Sequence, residues 1–161
     1  KSVRFIFSRL SPEGYWVYGE SSNQNWVDSF HSEYMLEFCL AIEGKSYALE
    51  YKRDIQRAES YFLDRFLKKD GVCPYFDSAS EVYPINIHTI ASMIIYLSKT
   101  GKFSEAHSVS AWAFNNLYCS GKGFYFEKGK YLINRNIYHR WNNSWMYLAL
   151  QTLIKEQKCS E

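Results

Sequence analysis

The sequence predicts an all-α fold of helical-hairpin repeats forming part of an α/α toroid, with short aromatic β-hairpins between repeats. Three observations predict it. FHSEYMLEFCL (30–40), IHTIASMIIYL (87–97) and RWNNSWMYLAL (140–150) align with one another at offsets of 57 and 53 residues. Each interval between them holds a second amphipathic helix, a Gly turn and an aromatic segment, DGVCPYF in one and KGFYF in the other. Strands and helices do not alternate in the manner of a parallel α/β fold. A period of this size containing two helices marks stacked hairpins, either an open solenoid or a closed ring. In a ring, the more apolar helix of each pair lines the inside and its N-terminal end faces a pocket.

The elements follow in order. Residues 1–14 alternate apolar and polar (Val3, Phe5, Phe7) up to Pro12 and Gly14, and are expected to form a short strand or extended arm. From Asn25, Trp26, Phe30, Tyr34 and Phe38 fall four apart beside Met35 and Cys39, which predicts a helix with that stripe buried and Gly44 as its C-terminal cap. A second helix spans about Tyr47 to Leu67 with Tyr51, Ile55, Ala58, Phe62 and Phe66 inward. Pro84 sets up entry to a third with Ile87, Ile90, Ala91, Ile94 and Leu97 in its stripe, ended by Gly101. Phe103 to Cys119 and about His139 to Lys155 complete the set, the last with Trp141, Trp145, Leu148 and Thr152 on one face. The whole, 1–161, fits one domain.

Composition narrows the function classes. Five Trp, fourteen Tyr and eleven Phe make 19% of the chain aromatic, a surplus suited to half-wet surfaces such as carbohydrate clefts and large protein interfaces. A net charge of +2 with scattered Lys and Arg disfavours nucleic acid. No run reaches the ~18 apolar residues of a membrane span. Lys1 opens neither a signal peptide nor a chain with its initiator Met, so the sequence reads as a fragment or processed product. Cys39, Cys73, Cys119 and Cys159 stand too far apart for a zinc motif and read as buried free thiols, which favours the cytoplasm.

The richest stretch is YWVYGESSNQNWVDSFHSEYMLEFCL (15–40). Glu20 and Asp28 are the acid/base candidates; alternatively Asp28 caps a helix and Glu20 bonds loop amides. His31 and His88 hold matching places in two repeats and are candidates for catalysis or for hydroxyl binding, the alternative being imidazoles bonded within a polar core. Arg140 could clamp a uronate or sulfate while Trp141 stacks a sugar ring, or Arg140 could bridge a buried carboxylate. Trp16 and Trp26, near the loop, are candidate platforms; Trp145 reads as core; Tyr75, Phe76, Tyr125 and Phe126 cover hairpin ends. A metal site from His31, His88 and His139 lacks ligand spacing, and no metal or cofactor is expected.

WVYGESSNQNWVDSFHSEYMLE, YPINIHTIASMIIYLSK and YHRWNNSWMYLAL resemble, over residues 15–150, the motifs of an uncharacterised bacterial and archaeal family of polysaccharide and capsule loci. That family is similar to α/α-toroid polysaccharide lyases, unsaturated glycuronyl hydrolases and glucuronyl epimerases. The resemblance is to its C-terminal half, with three inner helices of a six-hairpin ring. Members often carry a transferred delta-aminolevulinic acid dehydratase label, an activity that needs a TIM barrel with Schiff-base lysines and that this pattern does not support. Two departures bear on chemistry: Asn86 stands where the family pattern has Asp, and Asn142 and Asn143 where it has Ser-Gln. An amide at 86 hydrogen-bonds but exchanges no proton.

The resemblance implies an enzyme acting on a glycan as hydrolase, lyase or epimerase, with Glu20, Asp28, His31 and His88 as catalytic candidates and Trp16, Trp26, Asn86, Arg140 and Trp141 as substrate-binding ones. Its substrate would be a glycan or a sugar not linked to a nucleotide. Two other readings stand beside it: a non-catalytic glycan-binding module, and an assembly scaffold whose partner is a second copy or a missing N-terminal half.

Overall fold

The computed structural model describes residues 1–78 and 80–160. Six α-helices carry the fold: α1 Ser2–Ser8, α2 Ser29–Ile42, α3 Lys52–Phe66, α4 Ile87–Lys99, α5 Phe103–Leu117 and α6 Ser144–Ser160. A 3-10 turn, Ser46–Tyr51, leads into α3, and a π-turn, His139–Asn143, leads into α6. Strands β1 Ile85–Asn86, β2 Tyr118–Cys119, β3 Gly123–Phe124, β4 Glu127–Lys128 and β5 Ile133–Asn134 are two residues each. They pair antiparallel as a β2–β3 hairpin and a β1–β4–β5 sheet, with Asn86 opposite Glu127 and Glu127 opposite Asn134.

Helix α4 is the axis. Every residue from Ile87 to Ser98 is buried, as expected of a helix surrounded on all sides. Ile90, Met93, Ile94 and Leu97 meet Leu36 of α2, Phe62 and Phe66 of α3, Val109 and Leu117 of α5, and Met146 and Leu153 of α6 in one core. The contacts fix direction. Ser29 and Thr89, at the starts of α2 and α4, share a hydroxyl contact of 3.3 Å, and Glu37 and Lys99, towards their ends, pair at 2.5 Å. At the start of α6, Trp145 lies 4.3 Å from the His88 ring, whereas Gln157 near its end bonds His107 at the start of α5. Helices α2, α4 and α6 are therefore parallel, with α3 and α5 returning behind them. The chain is a row of helical hairpins, α2–α3 and α4–α5, with α6 packed chiefly on α4 and touching α5.

Four expectations need correction. Residues 2–8 are helical rather than extended. A seven-residue helix is too short to persist alone, but Phe7 is buried and stacks on Tyr51 at 4.1 Å, and the Trp16 indole donates to the Ile6 carbonyl at 2.9 Å. Helix α2 begins at Ser29, and the stripe it buries is Ser32, Glu33, Leu36, Cys39 and Ile42, not Trp26, Phe30, Tyr34 and Phe38. Likewise α6 buries Met146, Ala149 and Leu153 in step with buried Asn142 of the π-turn, so its inward face lies one residue on from the expected Trp141, Trp145, Leu148 and Thr152, and Trp141 and Leu148 stay half exposed. Of the four free thiols only Cys39 and Cys73 are buried; Cys159 is exposed. In addition, the CPYF segment makes one β-bridge, Phe76 to Asp28, instead of a hairpin, and it is β1 that joins the sheet.

Two close approaches decide the packing. Gly71, at φ 76°, runs against the backbone of Ser108 and Val109 in α5, where a Cβ would overlap it. Gly123, at φ 104°, lies on the Asn143 carboxamide, which accepts from the Phe124 amide at 2.9 Å. Beside it, buried Asn142 donates to the carbonyls of Phe124 and Asn136. These two side chains pin both β-hairpins to the base of α6.

Glu33 is the anomalous core residue, 2% exposed on the α2 face turned to α4. Burial, and then repulsion from Glu37, raise its carboxyl from 4.5 to about 8 against the opposing pull of Lys99. A carboxyl that keeps its proton longer folded than unfolded favours the folded state at low pH and loses that contribution as pH rises from 4.5 to about 8. Denaturant titrations are expected to show this loss, up to about 4 kcal/mol, between about pH 5 and pH 8. Glu33→Gln, which mimics the protonated acid, should flatten it; an equal slope in the variant would contradict the assignment.

Candidate functional site

The parallel run of α2, α4 and α6 brings three helix starts to one edge. Each start is shaped by its sequence. At α2, Asp28 is extended (φ −130°, ψ 157°) and its Oδ1 accepts from the His31 amide at 2.8 Å, an N-cap. At α4, Asn86 plays the same part, its Oδ1 accepting from the His88 amide at 2.8 Å. At α6 the π-turn has no side-chain cap, and it presents His139, Arg140 and Trp141.

Asp28 does more than cap. Its side chain is fully buried, His31 Nδ1 lies 2.9 Å from both carboxylate oxygens, and the Trp26 indole donates to Oδ2 at 3.0 Å. A carboxylate only accepts, so Nδ1 carries a proton, and in the neutral ring Nε2 holds the lone pair. The imidazole is partly exposed, at 41% of its side-chain surface. This is a general-base geometry: one nitrogen fixed by a buried acid, the other open.

His88 is the opposite case. It is 3% exposed and boxed by the rings of Phe30 at 4.0 Å, Trp145 at 4.3 Å and Trp141 at 4.9 Å, and its Nε2 has no hydrogen-bond partner among the described residues. Burial first, and then the neighbouring His31, push its pKa down from 6.5 to about 4. At neutral pH the ring is uncharged.

Phe30 joins the two histidines, with its ring 5.2 Å from His31 and 4.0 Å from His88. Tyr18 stacks on Trp26 at 4.6 Å and meets the edge of His31 at 4.5 Å, and Tyr34 leans on Phe30 at 4.4 Å. The result is a continuous aromatic wall from Trp26 to Trp141, in which Tyr18, Trp26, Tyr34 and Trp141 are between 39% and 50% exposed.

The predicted site residues divide accordingly. Asp28, His31, His88, Trp26 and Trp141 come together, with Asn86 capping beneath His88. Glu20 stands apart on an exposed loop, paired with Arg9 at 3.0 Å. Trp16 is packed with Phe7 and Leu10 rather than standing as a platform. Arg140 is exposed beside Trp141 and makes no ion pair among the described residues; the buried-carboxylate bridge is made instead by Arg65 to Asp77 at 2.6 Å, with the Tyr61 hydroxyl also bonded to Asp77. Sequence reasoning assigned Phe30 and Tyr34 to a core stripe and so missed them as wall, whereas Trp145, read as core, does pack against the core. The available signal was the aromatic directly preceding His31 and repeated four residues on. No group of three His, Cys, Asp or Glu side chains is gathered for a metal among the described residues. No helix there is long and apolar enough to cross a membrane.

No family model matches the chain, and no curated protein sequence matches it. Among solved structures it is similar to a novel alpha-amylase from Clostridium perfringens, at 12% identity and a TM-score of 0.62, over 93% of this chain and 50% of that one. At such identity the likeness is one of fold. The chain spans half the length of that structure.

Asp28→Ala removes a cap, an indole partner and the His31 anchor together, and is expected to cost about 2–4 kcal/mol in chemical denaturation; a loss within ~0.5 kcal/mol would deny the carboxylate its structural share. His88 supplies a pH test of opposite sign to Glu33. A histidine with its folded pKa depressed from 6.5 to about 4 contributes stability above 6.5 that is lost as pH falls towards 4. Measured in a Glu33→Gln background, so that the two effects do not cancel, the loss should reach about 3 kcal/mol and vanish in His88→Phe.

Proposed function

We propose that the chain is a carbohydrate-active module: part of an α/α toroid whose aromatic edge holds a glycan, with His31, oriented by Asp28, as its proton carrier. The observation that carries this reading is the Asp28–His31 pair, buried acid and open imidazole, set in a half-exposed aromatic wall. Trp and Tyr faces suit the C–H surfaces of sugar rings, and an imidazole oriented by a carboxylate is a group able to take and return a proton. The alpha-amylase likeness supports it at the level of a carbohydrate-active fold. Three parallel inner helices would make about half of a six-hairpin ring, and the exposed Tyr147, Leu148 and Ile154 of α6 support a neighbour there, from a longer chain or a second copy.

Among reaction types, the arrangement favours single-base chemistry. Two-carboxylate hydrolysis uses acids about 5–10 Å apart across the bond, whereas Asp28 is buried under His31 and Glu20 is engaged with Arg9. In a lyase step His31 Nε2 would take the proton from the sugar carbon beside an acidic group, the C–O bond at the next carbon would break, and the departing oxygen would take the proton back; in an epimerase step water would return a proton to the same carbon on its opposite face. Arg140 would then meet an acidic group on the sugar. The second reading, binding without turnover, is favoured by Asn86, which caps α4 and offers no exchangeable proton where the family pattern has a carboxylate.

The test is turnover on a panel of neutral and acidic polysaccharides, followed by product release. His31→Gln should lower the rate at least about 100-fold, while Glu20→Gln should stay near the parent rate. Activity that survives His31→Gln would remove the proton carrier; binding of oligosaccharide with no turnover in any protein would favour the second reading.

A further inference from the structure

The His88 box is unusual in what it leaves unsatisfied. A buried imidazole nitrogen normally finds a partner, and leaving one without costs free energy comparable to a lost hydrogen bond. Here Nε2 has none among the described residues, although Ser92 and Thr89 hydroxyls stand on the same helix. The Ser92 hydroxyl donates to Thr89 O at 3.0 Å, and the Thr89 hydroxyl faces Ser29. The helix spends its own hydroxyls elsewhere.

The three rings around His88 are not equivalent. Phe30 and Trp145 are part-buried, and Trp145 packs on the core, whereas Trp141 is 50% exposed and meets His88 edge-on. The backbone beneath Trp141 is fixed: Asn142 is bonded to two carbonyls and Asn143 to the Phe124 amide. The Trp141 indole itself is half exposed and makes no hydrogen bond among the described residues. Its rotation would open a slot floored by His88 and walled by Phe30 and Trp145.

We propose that this slot is a recognition subsite for an uncharged sugar ring, entered when the Trp141 side chain swings aside, with one ring hydroxyl bonded to His88 Nε2 and a C–H face laid on Trp145 or Phe30. This rests on the glycan reading of the site and adds to it the class of sugar. The choice of an uncharged ring follows from desolvation. A hydroxyl entering an aromatic box needs one hydrogen bond in return for its water, while a carboxylate or sulfate needs a paired cation. No unpaired cation faces the slot among the described residues: three aromatic rings pack on His88, its titratable neighbour His31 is paired with the Asp28 carboxylate, and the Arg140 side chain is exposed. Any acidic unit of the same glycan would lie outside the slot, towards Arg140.

The experiment uses calorimetric titration of the full chain with maltohexaose, cellohexaose and mannohexaose, and with hexagalacturonate as the acidic comparator. At least one neutral hexaose should bind, and His88→Phe, which keeps the box filled but removes the nitrogen, should weaken it about tenfold or more. Diethyl pyrocarbonate labelling read by mass spectrometry supplies the second arm. His88 should be protected in the parent chain, labelled in Trp141→Ala, and protected again in that variant by the neutral hexaose. Unchanged affinity in His88→Phe, preference for hexagalacturonate, or labelling that the hexaose does not suppress would overturn the subsite while leaving the glycan reading standing. Absence of binding to every oligosaccharide would overturn both.

Discussion

The arrangement depends on a single buried carboxylate. Asp28 ends an irregular loop and starts α2, and its two oxygens satisfy a backbone amide, an imidazole and an indole at once. Its own backbone forms the bridge to Phe76, and the next residue, Ser29, bonds the Tyr75 carbonyl and touches Thr89 of α4. Asp28 and Ser29 together thus tie the aromatic loop, the segment after α3 and the start of α4 to a common point. Charge-assisted bonds of this kind are stronger than neutral ones, and with no exposed surface left the carboxylate has no alternative partner in water. Capping and chemistry are one feature here: the bond geometry that starts the helix is also what leaves the far nitrogen of His31 free.

The second constraint is the all-round burial of α4. Enclosing a helix on every side leaves room for polar groups only where they bond within the helix or lie at its ends. Ser92 and Ser98 turn their hydroxyls back to carbonyls of their own helix. His88, in the first turn, has no such outlet and ends between rings. The two histidines of the repeat therefore diverge although the sequence gives them equivalent places. His31 sits on α2 at the flank of α4, with solvent beside it; His88 sits on the enclosed helix.

Helix existence and order were legible from period and punctuation, since the apolar spacing in 52–66, 87–99 and 103–117 leaves little alternative and Gly44 and Gly101 stop the helices they follow. Which face of a helix turns inward was less so. Trp26, Phe30 and Tyr34 look like a core stripe by hydrophobicity, but small residues such as Ser32 and Cys39 allow α2 to approach α4 more closely, so the large rings are displaced to the edge. In α6 the period itself holds through Asn142, Met146, Ala149 and Leu153, but this face lies one residue on from the one the tryptophans suggest. The 1–14 segment was misread because its helix is made by Phe7 and Trp16 contacts, not by local preference. For the site, the capping reading of Asp28 and its acid/base reading proved to concern the same atoms, and the pairing of Glu20 with Arg9 depends on a loop path that spacing does not encode.

The clamp formed by Asn142 and Asn143 acts only at the root of the β4–β5 excursion, while Tyr131 and Leu132 at its tip are more than four-fifths exposed. The tip is mechanically uncoupled from the aromatic edge. Natural variation in length, or a grafted peptide tag, can be accommodated there without disturbing the histidines, so this loop is the part of the molecule where new contacts can be acquired at least risk to the old ones.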